Sequence, residues 1–440
     1  MSPDRRRDAY TGLGMMNVPR DTPAQLQAMG LVGKRFPPVT ISTPYRLELA
    51  LGALVTSLFP LAYGALISLV AWGVYSLVST SGLVRGTAPS IYSRLSMPVI
   101  LLLGCCLILS LLKPLVARPG RTVEPHFLDS DKEPLLFAFV KELGSAGGMP
   151  EPSGIAVDCS VNSCSIFAGG IAGIFRSGLT LVVGLPLVAG LRLDQFAVVL
   201  AHELGHAAQA TATWPGRFIW TVSAWFSRVA CEPDQFDERL LTRLETAGMG
   251  AQPALRLVQW LVQPGRGLLR LLMWVETVAS SVFLRHMERE ADRYQVRVTG
   301  TDAFVSTLQE VNLLAVAAQG AVVKLSHLWR EGRLVDNYPG LIASLRGRYS
   351  DGFVGRLLAG LERRRAGIFN AHPSDRDRMA LARGERARGI LSTDLPATVL
   401  FADYNTLCRE VTLEFYDYEL RLPRNSCQLV PLESVFKEGE

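Results

Sequence analysis

The sequence predicts a mainly helical α+β protein with a small β-sheet, preceded by a transmembrane helical hairpin. Three observations predict it. Two charge-free runs lie near the N-terminus, β-branched stretches broken by Gly and Pro lie before residue 190, and helical apolar spacing runs through much of the remainder. The 440 residues are 49% hydrophobic and 19% charged, whereas ordinary soluble domains carry about 25% charged residues. This composition excludes a disordered chain, a collagen-like fibre and a disulfide-rich miniprotein. Lys and Arg number 45 against 40 Asp and Glu, and a net charge of +5 makes no case for a nucleic-acid partner. The seven cysteines include no CxxC pair, and Cys105 and Cys106 fall inside an apolar run. That usage suits a reducing compartment or a membrane interior.

Taken in order, residues 1–48 are polar and mixed, with Arg5, Arg6 and Arg7 and several prolines. They read as a disordered cytosolic tail, too long and too polar to open a cleaved signal peptide. Leu49 to Val84 carries no charge, and about 20 apolar residues suffice to cross a bilayer. Pro60 and Gly64 are tolerated kinks in such a helix. Leu95 to Leu112 is a second uncharged run near the lower limit for a span. A buried core helix is the alternative, but the short link from Arg85 to Arg94 favours two transmembrane helices within 49–113. Lys34, Arg35 and Arg46 precede the pair, and Lys113, Arg118 and Arg121 follow it. The more basic flanks place both ends in the cytoplasm.

Residues 120–390 read as one globular domain. Segments 154–167 and 174–189 look like strands or a hairpin. Asp194 resembles an N-cap, and Gln195 to Ala212 keeps helical spacing. Phe218–Ser227 and Leu268–Leu284 are apolar, and five of the seven Trp fall within 214–284. Partial immersion in the membrane and a packed helical core both remain open for that region. Residues 391–440 carry Tyr404, Phe415, Tyr416 and Tyr418 and read as a folded C-terminal appendage. No repeat of fixed period is present.

The strongest chemical signal is His202-Glu203-Leu204-Gly205-His206, in a chain with only six His. Residues four apart share a helix face, so both imidazoles can meet one metal while Glu203 stands where it can take a proton from metal-bound water. A catalytic zinc commonly keeps three protein ligands and an open position. Gln209 and Ala212 stand where a metzincin would have Gly and His, so the third ligand is sought on another helix. Glu288 could complete a His, His, Glu site. Asp292, four residues on, could accept the second ring N–H of a ligating His. His126, His286 and His327 lack partners at ligand spacing and are expected to be structural. Basic clusters at 363–365 and 383–388 are expected to be solvated helix faces.

The run Ala197–Ala201 leading into His202–His206, followed by Glu288-xxx-Asp292 and by His372-Pro373 with Arg378, resembles the M48 family of membrane zinc metalloproteases. That family includes the heat-shock protease HtpX and the CAAX prenyl protease. Asn162 stands loosely where the family has an Asn-Ala segment before the zinc helix. The resemblance covers about residues 120–385. It implies a zincin-type (gluzincin) fold and one Zn2+ per chain, held by His202, His206 and Glu288. It further implies Glu203 as catalytic base, Asp292 as an orienting residue, His372 and Arg378 at the cleft, and Asn162 as a substrate contact. The implied activity is endopeptidase cleavage of protein or peptide substrates at the lipid bilayer of a bacterial inner membrane, with the catalytic domain facing the cytoplasm. CAAX-type processing of prenylated peptides and a non-catalytic, zinc-stabilised scaffold or sensor are the alternatives. Oligomeric state is not legible in the sequence.

Overall fold

A computed structural model describes residues 22–36, 43–80, 91–116, 125–167, 178–232, 234–246, 248, 250–363, 373–420, 422 and 427–439. The expectation of a disordered tail over 1–48 is corrected for its described part. A short helix α1 (Thr22–Ala28) and the residues after it put Leu26, Met29, Leu31 and Phe36 into the main core, because these apolar side chains find a packing surface on the domain. Residues 1–21 and 37–42 lie outside the described residues. Two long apolar helices follow, α2 (Thr43–Thr80) and α3 (Ile91–Val116). These pair as a hairpin, and the Tyr63 hydroxyl of α2 donates to the Leu111 carbonyl of α3 at 2.6 Å. Helix α2 starts before the run expected at 49–84 and is described to Thr80, the remainder of that run lying outside the described residues, and α3 extends beyond 95–112 at both ends.

Helices α7 (Trp214–Cys231), α8 (Gln235–Thr246) and α9 (Gln252–Thr299) join the hairpin to form a bundle. Its core takes Tyr63 and Leu111 from the hairpin, Val222, Phe226 and Ala230 from α7, and Leu269 from α9. Lys113 at the end of α3 pairs with Asp234 at 2.7 Å and Asp237 at 2.6 Å, and Arg266 of α9 also pairs with Asp237. The region 214–284 is therefore helical and packed against the hairpin. Large apolar side chains nevertheless face outward along the bundle, among them Leu61, Leu69 and Trp72 of α2 and Trp260 and Trp274 of α9. A soluble surface seldom presents so continuous an apolar face.

The sheet holds β1 (His126–Phe127), β2 (Gly154–Asp158), β3 (Ser163–Phe167) and β4 (Leu179–Gly184) in the order β1-β2-β4-β3. β2 and β4 run parallel, β3 is antiparallel to β4, and β3 lies at an edge among the described strands. The strand expected to continue to 189 stops at Gly184, because Pro186 opens the short helix α5 (Leu185–Gly190). Pro is favoured in the first turn of a helix and cannot donate to a sheet ladder.

Helix α4 (Pro134–Gly147) and helix α6 (Leu193–Ala212) cover the sheet. Ile155, Val157, Leu181 and Val183 pack with Phe139, Leu143, Phe196, Leu200 and Leu204 in the main core. Helix α10 (Thr301–Arg330) adds Leu314, Ala317 and Ala321 to the same core. Among the described residues, three helices are long and apolar enough to cross a membrane: Thr43–Thr80, Leu255–Thr299 and Thr301–Arg330.

The chain closes with β5 (Arg333–Val335), α11 (Tyr338–Gly347), α12 (Asp351–Arg363), α13 (Asp375–Glu385), α14 (Tyr404–Glu414) and β6 (Gln428–Val430). β6 pairs in parallel with β5, and the Tyr416 hydroxyl donates to the Val335 carbonyl at 2.9 Å. Leu391, Leu400, Leu407, Cys408, Val411 and Val430 belong to the main core. The C-terminal segment is thus woven into the domain rather than set beside it.

Candidate metal centre

Helix α6 begins at Arg192, whose extended backbone forms the cap; its N–H donates to the Gln195 side chain at 3.1 Å. Asp194 is already inside the first turn. Its carboxylate accepts from the Gln195 N–H at 2.8 Å, and it favours the positive end of the helix dipole rather than serving as the expected N-cap. Ala197, Leu200, Ala201, Leu204 and Ala207 anchor the helix in the core. His202 and His206, one turn apart, face the opposing helix α9.

Their Nε2 atoms lie 3.1 Å apart. Glu288 of α9 places Oε2 3.5 Å from His202 Nε2 and Oε1 3.5 Å from His206 Nε2. Tetrahedral metal bonds of about 2.0–2.1 Å separate neighbouring donors by about 3.3 Å. Each imidazole stands near that separation from the other and from one oxygen of the Glu288 carboxylate, and one donor atom from each of the three residues lies within 4.8 Å of the others, so the group could hold a metal ion. Two imidazoles and a carboxylate are a donor set suited to zinc. Sequence and structure agree on all three residues.

Close packing brings the two helices together. A Cβ on Gly205 would lie 3.0 Å from the Tyr294 ring and 3.4 Å from the Ala291 Cα. Gln209, one turn beyond His206, donates to the Met287 carbonyl at 3.0 Å and accepts from the Tyr45 hydroxyl of α2 at 2.7 Å. Glu48 of α2 meets His286 Nδ1 at 2.5 Å. These contacts set the start of the first long apolar helix against the metal-binding pair. Neither Gln209 nor Glu48 carries a motif signal, since each acts through a partner remote in the chain.

Asp292 is fully buried, with Oδ1 3.5 Å from His202 Nδ1, beyond hydrogen-bond length. Arg378 of α13 grips it through both fork donors, Nε to Oδ2 at 2.9 Å and Nη2 to Oδ1 at 2.6 Å. The expectation that Arg378 faces a cleft is corrected here: its guanidinium is committed to Asp292, so it acts by holding that carboxylate beside His202. Burial disfavours the charged imidazole of His202, but the carboxylates of Asp292 and Glu288 outweigh it and push its pKa up to about 10. The pocket therefore favours positive charge on or between its imidazoles.

Glu203 is half-buried on the flank of α6 nearest β3. Burial raises its pKa, and the His202 and His206 rings pull it back down. Its backbone carbonyl accepts from the Ser165 hydroxyl of β3 at 3.1 Å. Burial, with a smaller contribution from the Glu203 charge, pushes the Cys164 thiol up to about 11. The edge strand thus lies against the turn of α6 that carries Glu203. Asn162 is exposed in the turn before β3, and its carbonyl accepts from the Gly184 N–H at 2.9 Å. His372 lies outside the described residues. His126, expected to be structural, meets Glu414 at 3.0 Å.

Fold and site together define a mainly helical protein with membrane-length helices and a His-His-Glu group able to hold a metal ion. Comparison of the chain with protein-family models, with curated proteins and with solved structures finds no match.

Proposed function

We propose that the chain is a membrane-bound zinc endopeptidase of the gluzincin type, related to the M48 family, that hydrolyses peptide bonds in membrane or membrane-proximal proteins. The observation that carries this reading is the group of His202, His206 and Glu288, whose ring nitrogens lie 3.1 Å apart and each 3.5 Å from one oxygen of the Glu288 carboxylate, with Glu203 adjoining it on the same helix. Three protein donors leave a fourth position open, whereas structural zinc sites are closed by four. That count favours catalysis over a scaffold.

When bound, zinc supplies a Lewis acid for the scissile carbonyl and lowers the pKa of a water to about 7. The protein supplies the rest. Glu203 takes the proton from the attacking water and hands it to the leaving amine, and its raised pKa suits it to hold that proton between the two events. The edge of β3, outermost among the described strands, receives the substrate as an added strand, so the backbone rather than side-chain sequence provides affinity. Arg378 fixes Asp292, and Asp292 steadies the His202 ring. His372 is assigned to the developing oxyanion on sequence grounds alone. The apolar helices hold the domain at the bilayer, with the active site on the cytoplasmic side.

The test is Glu203→Gln in the full chain. Proteolysis should fall by at least about 100-fold, while metal analysis still returns one zinc per chain. Turnover retained by the variant removes Glu203 from its role, and a wild-type protein without zinc removes the reading altogether.

A further inference from the structure

Glu276 lies in the middle of α9, 2% exposed, in the stretch Leu268–Leu284, whose sole other charged residue is Arg270. Arg270 points elsewhere, donating from Nε to the Ala230 carbonyl at 3.1 Å. Among the described residues, no Lys, Arg or His pairs with Glu276. What surrounds it instead is oxygen. The Ser223 hydroxyl of α7 stands 3.1 Å from Oε1, the Ser280 hydroxyl of α9 3.2 Å and the Thr56 hydroxyl of α2 3.5 Å. Thr56 and Ser280 are 3.5 Å from each other, and both are fully buried.

A lone carboxylate in an apolar helix junction is costly unless something positive accompanies it. All four donors are hard oxygens drawn from three helices, with no nitrogen or sulfur among them. A cation bound to oxygen at about 2.4 Å separates adjacent ligands by about 3.4 Å, and the three hydroxyls stand 3.1 to 3.5 Å from Oε1, with Thr56 and Ser280 3.5 Å from each other. One carboxylate balances one positive charge, which selects a monovalent ion over calcium or magnesium.

We propose that Glu276, Thr56, Ser223 and Ser280 form a binding site for a sodium-sized monovalent cation at the junction of α2, α7 and α9. The ion neutralises Glu276 and ties the first apolar helix to the helix that carries Glu288. The site is separate from the His202 group: Glu276 and Glu288 are 12 residues apart on α9, about 18 Å of helix rise.

The experiment is thermal unfolding of the full chain in detergent micelles, with NaCl exchanged for choline chloride at constant ionic strength, beside 23Na line broadening. Between 1 and 300 mM sodium the wild-type midpoint should rise by about 3 °C or more, and the protein should broaden the 23Na line. Glu276→Gln and Ser280→Ala should lose both effects, the second serving if the first does not fold. Absence of a sodium-specific rise in the wild type, or its persistence in the variants, overturns the proposal. In the first case a proton occupies Glu276, and Glu276→Gln should then match the wild type in stability. Neither readout depends on proteolysis.

Discussion

At the scale of single residues, the Arg378–Asp292 pair is where removal of one side chain should cost most. Asp292 is buried, Arg378 is half-buried, and two hydrogen bonds link them. Truncating one partner of such a pair leaves an uncompensated charge and costs about 3–5 kcal/mol. Arg378→Ala should lower the denaturation midpoint accordingly. Asp292→Asn, which keeps the shape, should weaken zinc binding by about 10–100-fold in a competition titration, as loss of an outer partner of a ligating His does. Arg378→Lys should resemble Arg378→Ala more than the wild type, because a point-charge ammonium cannot reproduce the two-pronged grip. The three candidate ligands are legible in the sequence because His202 and His206 are local and Glu288 shares a four-residue rhythm with Asp292. The commitment of Arg378 is not, because 86 residues separate it from Asp292 and such a contact leaves no local signature.

At the scale of elements, two helices make the centre, and their separation is set by a missing side chain. Gly205 lets α6 approach α9 closely enough for Glu288 to reach between the imidazoles. Gly205→Val would press a branched side chain on the Tyr294 ring and on the α9 backbone at Ala291. Overpacking of this kind costs about 1–3 kcal/mol. It should also reduce zinc affinity, since the donor group widens, and far-UV circular dichroism should remain helical. Unchanged zinc affinity would mean that the approach of the helices does not set the donor spacing.

The same scale explains two misread boundaries. The apolar run after β4 fits a strand and a buried helix equally, and Pro186 decides for the helix. Asp194 has the chemistry of an N-cap, but the carbonyl that starts the helix belongs to Arg192, two residues earlier. Helix α9 was harder still. Its 48 residues rise about 72 Å, joining an apolar stretch and the candidate ligand Glu288, which read as separate segments because the charge pattern changes at Arg285.

At the scale of the whole molecule, the question is what the last 50 residues do for the centre. They begin after α13 and look peripheral in sequence, yet Leu391, Ala397, Leu400, Phe401, Leu407, Cys408, Val411, Tyr416, Val430 and Val435 sit in the core that holds α6. The Leu193 N–H also donates to the Leu395 carbonyl at 2.7 Å, at the start of the helix that presents both His ligands. Burying one large apolar side chain contributes about 1.5–3 kcal/mol, whereas an entire domain is stable by about 5–15 kcal/mol. Removing this set together exceeds what the remainder can absorb. A chain ending at residue 390 should therefore fail to fold: it should lose cooperative thermal unfolding, bind zinc no better than the unfolded protein and be digested throughout by added protease. A truncated chain that still melts cooperatively and binds one zinc would show that the C-terminal segment is an appendage after all, and that α6 is held in place by α4, α9 and α10 alone.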